Sequence, residues 1–306
     1  MTKRRVSLFV AGTKGANFLR ALFDGPDAPA PGFFPLAQVH LVASYSSSGL
    51  SHDPRAEIME ICRRHGLLYR DRQDLKTTDY AASDLVLLAG WQYLLPDIDE
   101  RFIVFHDSLL PHLRGFNPTV TALILGERRV GVTAFRPDEG VDTGPVYGQE
   151  ALAIGETARI GEVYEALGGA YARLARRLVE RAATGSLSAT PQDHSTATYS
   201  LWRNEDDYTI DWTGAASAIR RFVDAVSWPY QGAKTRYKGA EIRIDRVMEI
   251  PDLRFPLRQP GKIWTLSGNG EGADVVCGEG MLRILAARTP DAQPVRFTSL
   301  RQRLGE

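Results

Sequence analysis

The chain has 306 residues, which at roughly 150 per domain suggests about two domains. With 43% apolar and 24% charged residues it has a globular composition, excluding wholesale disorder and fibrous repeats. Its 37 Lys and Arg balance 37 Asp and Glu, so no net field draws it to nucleic acid or to an anionic membrane.

The N-terminus is basic and then briefly apolar. The apolar run, Leu8 to Ala11, is too short for a secretion signal and reads as a first strand over Val6–Ala11. It ends in Gly12-Thr-Lys-Gly15, followed by a helical pattern through Phe18, Leu19 and Leu22 and a Pro- and Gly-rich loop from Asp24 to Pro35. A second strand over Val39–Tyr45 is broken by Ser46-Ser-Ser-Gly49, and residues 54–65 place Ile58, Ile61 and Cys62 on one helical face. Asp84-Leu-Val-Leu-Leu-Ala-Gly90 is a continuous apolar run, the pattern of a strand buried on both faces. Strands follow at Phe102–Phe105 and Val130–Phe135, with a helix through Val120, Leu123 and Ile124 between them. Apolar residues from Ile160 to Leu178 recur every three or four positions, predicting a helix of about 24 residues that Gly185 stops. Alternation of strand and helix predicts an α/β domain with an open, mostly parallel sheet.

After residue 186 the texture changes. Residues 186–200 are rich in Ser and Thr, a helix is expected at about 214–226, and short strands follow at Gly261–Trp264 and Gly280–Leu285. The expected division is a catalytic domain over 1–190, a linker over 191–205 and a small β-rich barrel or sandwich over 206–306. Trp202, Trp212, Trp228 and Trp264 are expected in the second domain's core, with a substrate-facing position as the alternative for Trp228 beside Pro229. Cys62 and Cys277 match no zinc spacing and are expected to be reduced, and no metal is expected. No stretch approaches the roughly 18 apolar residues of a membrane span, so the expected location is the cytoplasm.

Gly12-Thr-Lys-Gly15 lacks the G-x-G-x-x-G pattern, and Ser44 and Tyr45 stand where a dinucleotide fold needs an acid, so a dinucleotide is disfavoured. Two later segments carry more chemistry. Phe105-His-Asp-Ser-Leu-Leu-Pro-His-Leu-Arg-Gly-Phe-Asn-Pro118 places His106 just past a strand's C-terminal end, where open α/β sheets hold ligands. Gly131 to Gly144 then runs off another strand into a loop with three acids, among them Asp142. A carboxylate facing His106 would make an acid–base pair. The same residues fit a purely structural use, with His106 capping the strand and Asp142 closing a turn.

These segments resemble the signature of the 10-formyltetrahydrofolate-dependent formyltransferases. That family has a His-x-Ser-Leu-Leu-Pro-x-x-Arg-Gly run, then a Gly-Val-Thr strand and an Asp-Thr-Gly loop. His106, Ser108-Leu-Leu-Pro111, Arg114-Gly115, Gly131-Val-Thr133 and Asp142-Thr-Gly144 match in order. Gly90-Trp-Gln-Tyr-Leu-Leu-Pro96 resembles the family's folate loop, Pro191-Gln192 with Ala197-Thr198-Tyr199 its linker, and Ile210-Asp-Trp212 with Pro229–Ala233 the start of its second domain. The resemblance implies a Rossmann-like catalytic domain, an OB-like second domain and transfer of a formyl group from 10-formyltetrahydrofolate to a primary amine. It assigns catalysis to His106 and Asp142, with the folate against Tyr93, Leu94, Leu95, Ser108, Leu109, Leu110 and Pro111 and the backbone of Asp138, Glu139, Gly140, Val141 and Asp142.

One departure concerns the oxyanion. The family's Asn two residues before the His is Val104 here, and one lost donor typically costs about 10²–10³ in rate. Asn117 taking over, backbone amides sufficing, or an impaired, merely binding protein are the alternatives. Asp107 replaces the family's small residue after the His. The acceptor expected is a nucleotide-linked amino sugar rather than tRNA. Ser44–Pro54 carries no Lys or Arg, and residues 231–306 hold 13 Lys plus Arg against 9 Asp plus Glu, a net of only +4. A homodimer is compatible with the sequence.

Overall fold

The computed structural model describes residues 4–25, 37–47, 50–268 and 270–306. Most of the Pro- and Gly-rich loop at Asp24–Pro35, and Ser48 and Gly49 of the break after the second strand, lie outside the described residues. The chain gathers into two compact units. One comprises Met1–Thr119, Arg128–Ile154 and Glu162–Leu201; the other comprises Val120–Glu127, Gly155–Gly161 and Trp202–Glu306.

The first unit opens with β1 (Arg4–Val10), α1 (Gly12–Phe23), β2 (Ala37–Ser44), α2 (Arg55–Arg64), β3 (Tyr69–Asp71), α3 (Thr77–Tyr80) and β4 (Leu85–Ala89). It continues with β5 (Phe102–His106), β6 (Arg114–Gly115), the start of α4 (Pro118–Leu125), β7 (Arg129–Phe135), β8 (Val146–Ala153), α5 (Ile160–Ala183) and β9 (Tyr199–Ser200). Seven strands form one sheet in the order β3-β2-β1-β4-β5-β7-β8. The first five run parallel, whereas β7 is antiparallel to both β5 and β8. Every residue of β4 is buried, as its unbroken apolar run requires of a strand covered on both faces. On one face Phe9, Val86, Leu88 and Phe102 pack with Tyr80 of α3. On the other, Phe105 meets Phe18 of α1 and Tyr171 of α5, with ring centroids 5.9 and 5.6 Å away. Consecutive residues of β5 therefore point into different layers.

The sequence reading misses β3, which has three residues, and β8, an edge strand whose residues alternate between half-buried and exposed. It also takes 186–200 as irregular chain, whereas Tyr199–Ser200 pairs in parallel with Arg114–Gly115.

The second unit holds α6 (Ala216–Ala225), β10 (Ala233–Tyr237), β11 (Ala240–Ile250), β12 (Ile263–Leu266), β13 (Ala273–Val276) and β14 (Met281–Arg288). The five strands form an antiparallel sheet in the order β10-β11-β14-β13-β12. The expectation for its tryptophans needs correction. Trp212 is buried and donates from Nε1 to Thr235 Oγ1 at 2.9 Å, but Trp202, Trp228 and Trp264 are about half exposed. Aliphatic side chains such as Ile219, Val223, Ile244, Val275 and Ile284 fill that core instead.

Cys62 and Cys277 are both free and buried, and burial pushes each thiol up to about 12. The native protein is expected to leave a colorimetric thiol reagent unreacted at pH 8 and to titrate two thiols once denatured. Fewer than two thiols on denaturation would mean that a cysteine is oxidised. Among the described residues, no helix is long and apolar enough to cross a membrane.

Candidate active site

His106 is the last residue of β5, and the chain leaves the sheet there into a segment that returns as β6. Its imidazole is 9% exposed. Nε2 lies 2.8 Å from the carbonyl oxygen of Leu113, an acceptor, so that nitrogen carries the proton. Nδ1 faces Asp142 Oδ2 at 3.4 Å. Oxygen acceptors flank both ring nitrogens. The 3.4 Å separation exceeds that of a formed hydrogen bond.

Asp142 comes from the loop between β7 and β8. Its backbone is in the left-handed region, with φ at 52°, a conformation that costs a non-glycine residue on the order of 1 kcal/mol. Three contacts over-determine it. The Gly115 N–H donates to Oδ2 at 2.7 Å, and Gln192 Nε2 donates to the carbonyl oxygens of Asp142 and Gly144 at 2.8 and 2.7 Å. Gln192 is held in turn by Arg114, which is 1% exposed and donates from Nε and Nη2 to Gln192 Oε1 at 3.2 and 2.7 Å. Gly115 has φ at 94°, and a Cβ there would meet Ser200 O at 2.6 Å, so only glycine brings this N–H to the carboxylate.

Leu113 and Gly115 are thus two residues apart in one segment, and they grip the imidazole and the carboxylate respectively. Further contacts fix the same segment. Thr133 Oγ1 donates to Ser108 O at 2.7 Å and accepts from the Leu110 N–H at 3.0 Å, while Gln149 Nε2 donates to Leu110 O at 2.8 Å.

The other predicted site residues fall into two sets. Tyr93 and Leu94 are exposed, Leu94 at 96%, whereas Leu95 packs with Trp91 against the Phe9, Leu88 and Phe102 cluster. Asp138, Glu139, Gly140 and Val141 are all exposed, and Asp138 closes its own loop by accepting from the Thr143 hydroxyl at 2.5 Å. Within the Ser108–Pro111 run, Ser108 and Leu110 are buried, and a Cβ at Gly131 would run into the Leu109 side chain, so Leu109 packs on β7. Ser108 Oγ is buried without a hydrogen-bond partner. Asn117 is half-buried just before α4, with φ at 49°, and its amide makes no hydrogen bond to His106 or Asp142. Val104 packs against the same apolar cluster as Trp91 and Leu95. An apolar wall therefore stands where a donor two residues before His106 would be. His112 pairs through Nδ1 with Thr198 Oγ1 at 2.7 Å.

Sequence reasoning overlooks two sets of residues here. Gln192 stands in the linker motif and gives no local signal of its contact with the Asp142 loop. Lys14 and Thr119 enclose Asp107, with Lys14 Nζ 2.8 Å from Oδ1 and Thr119 Oγ1 donating to Oδ2 at 2.6 Å. Burial pushes the Asp107 carboxyl up, but the charges of Lys14 and His106 and these hydrogen bonds more than offset it, leaving the group below the usual carboxylate range.

Residues 52–173 match the formyl transferase family model, and residues 204–304 match the model of the formyl transferase C-terminal domain. The methionyl-tRNA formyltransferase of a Synechococcus species is 32% identical over 232 residues, covering 73% of this chain and 71% of that enzyme. The chain belongs to the formyltransferase family. Another relative, the methionyl-tRNA formyltransferase of Ralstonia nicotianae, is 32% identical over 213 residues, and the aligned part spans 64% of its length. Among solved structures, HypX from Aquifex aeolicus matches 98% of this chain and 48% of its own with a TM-score of 0.63 at 18% identity. The N-formyltransferase from Helicobacter canadensis, in complex with folinic acid and dTDP-3-aminofucose, matches 96% of this chain and 100% of its own, with a TM-score of 0.61 at 13% identity. At these identities the likeness is one of fold.

Proposed function

We propose that this formyltransferase moves the formyl group of 10-formyltetrahydrofolate to the primary amine of a nucleotide-linked amino sugar. The observation that carries the reading is the approach of His106 Nδ1 to Asp142 Oδ2, from loops far apart in sequence, at the C-terminal edge of the sheet. The surroundings fit a folate. Leu94 and Val141 are exposed apolar side chains suited to a flat ring, Tyr93 is exposed with the Arg72 guanidinium stacked on its ring at 3.8 Å, and the buried Ser108 Oγ has a hydrogen bond still to make. In this reading residues 1–190 hold the chemistry, 191–205 connect, and 206–306 form a second domain.

Formyl-folate supplies an activated formyl carbon, and the chain supplies the proton transfers. With Nε2–H committed to Leu113, His106 presents Nδ1 and donates a proton there to the formyl oxygen. As the amine nitrogen bonds to the formyl carbon, Asp142, with Oδ2 on the Gly115 N–H, takes the amine proton at Oδ1. The C–N10 bond then breaks, the proton on the formyl oxygen returns to His106, and the proton held by Asp142 passes to N10 to release tetrahydrofolate. In the absence of an asparagine at position 104, we assign the assisting role at the oxygen to Asn117, which lies in the same segment as Leu113 and Gly115.

The acceptor reading rests on charge. The segment after β2 has its first cation at Arg55, which is committed to Asp71 at 2.7 Å. The N-formyltransferase from Helicobacter canadensis, which shares this fold, is in complex with dTDP-3-aminofucose, and that supports the reading. Methionyl-tRNA is the second reading, favoured by what the sequence relatives are called. Two buried free thiols suit a reducing compartment, so we place the reaction in the cytoplasm.

The test incubates the protein with 10-formyltetrahydrofolate and, in separate arms, dTDP-linked amino sugars and charged initiator tRNA. It follows tetrahydrofolate release and the mass of the acceptor. A gain of one formyl group on an amino sugar is expected. Formylation of the tRNA alone would replace the acceptor, and no release in any arm would overturn the reading.

A further inference from the structure

Asp107 stands beside the proposed acid–base pair, and the chemistry above does not use it. It follows His106 directly but lies on the other side of the sheet, in the layer of Phe105, α1 and α5. Lys14 Nζ donates to both of its carboxylate oxygens, at 2.8 and 2.9 Å, and the Thr119 hydroxyl donates to Oδ2 at 2.6 Å and contacts the Asp107 carbonyl oxygen at 3.2 Å. The carboxylate is 6% exposed and the Lys14 side chain 21%. Lys14 Nζ also lies 5.5 Å from the centre of the Tyr164 ring.

Burying an ion pair this deeply seldom adds net stability, because desolvation cancels most of the attraction, and an apolar replacement often does as well. The position of the three residues suggests another use. Asp107 opens the segment that carries Leu113 O and Gly115 N, the groups that grip His106 and Asp142. Thr119 stands just beyond the end of that segment, in the first turn of α4, and Lys14 belongs to the first turn of α1. One carboxylate therefore ties the start and the end of the segment together and fastens both to α1.

We propose that the Lys14–Asp107–Thr119 cluster is a positioning device that clamps residues 107–119 so that His106 and Asp142 converge. The geometric claim stands on its own, and its kinetic consequence rests on the formyl-transfer reading. Asp107 acts through the segment and touches no substrate.

The test compares Asp107→Asn, Lys14→Arg and the double variant Lys14→Met with Asp107→Asn, which leaves no stranded charge. A misplacement near 1 Å can cost about 10²-fold, so Asp107→Asn should lower kcat about 10²-fold with KM for formyl-folate within about threefold. Lys14→Arg should retain most of the rate. The double variant should recover thermal stability without recovering kcat, a split that a merely structural pair would not give. A readout independent of activity is the ring N–H resonance of His106 in protein labelled with 15N-histidine. It should be protected in the wild type and exchange rapidly in the double variant. A folded double variant with wild-type kcat and an unchanged resonance overturns the proposal, and it decides the matter if Asp107→Asn fails to fold. If the wild type releases no tetrahydrofolate while the resonance behaves as stated, the formyl-transfer reading falls and the clamp stands.

Discussion

Replacing His106 with asparagine is expected to lower kcat for tetrahydrofolate release by about 10²–10⁴-fold, the usual contribution of a positioned acid–base group. Asparagine is small enough for the site, but its amide nitrogen reaches only as far as Nδ1, so Leu113 O loses its donor and the segment is held by its contacts with Asp142, Thr133 and Gln149. Asparagine cannot carry a proton between two acceptors as the imidazole does. KM for the folate should change little, because the proposed ring contacts lie at Tyr93, Leu94 and Val141. Asp142→Asn should give a loss of similar order. Since the two groups are proposed to move protons of one reaction, the double variant should be hardly worse than either single one. Stopped-time assays of tetrahydrofolate release at saturating amine provide the check. A His106→Asn enzyme running within threefold of wild type would remove the imidazole from the mechanism.

Gly144→Ala should be strongly damaging despite its size. A Cβ at this buried position would drive into the carbonyl oxygen of Arg136 and come within 2.9 Å of its carbon. That carbonyl cannot step aside cheaply, because the Arg136 N–H donates to Pro145 O at 3.0 Å across the same turn. Gln192 also holds Gly144 O, so a shift would break the contact that places Asp142. Overpacking against fixed backbone is expected to cost about 3 kcal/mol or more, with activity lost in the fraction that still folds. Gly155→Ala is the control, since nothing lies within 4 Å of its Cβ position. Urea midpoints of the two variants measure the difference. Equal stability would contradict the loop geometry.

Much of this architecture is legible in the sequence where a single element carries its own signal. The unbroken run in β4 and the three-to-four spacing in α5 state their burial directly, and α5 covers Ile160–Ala183 as its periodicity predicts. The His106 and Asp142 segments were visible as motifs, and the structure brings the two side chains together. Less visible were features that depend on two distant partners. β8 is half-exposed along its length and is defined by its pairing with β7, and Gln192 acquires meaning only from the carbonyls of Asp142 and Gly144. The Lys14–Asp107 pair joins residues 93 positions apart, and nothing in either local segment announces the other. The exposed tryptophans of the second unit show the converse limit: a large ring in a β-rich segment suggests core, but aliphatic residues had already filled it.

The left-handed backbone at Asp142 has a consequence for how this site can change. Glycine would relax that residue at no steric cost, so the substitution that most eases the loop is also one that deletes the carboxylate. Selection for robustness alone would push position 142 toward glycine. Aspartate enters this region more readily than most residues, so the carboxylate we propose to take the amine proton can be kept there at a cost on the order of 1 kcal/mol.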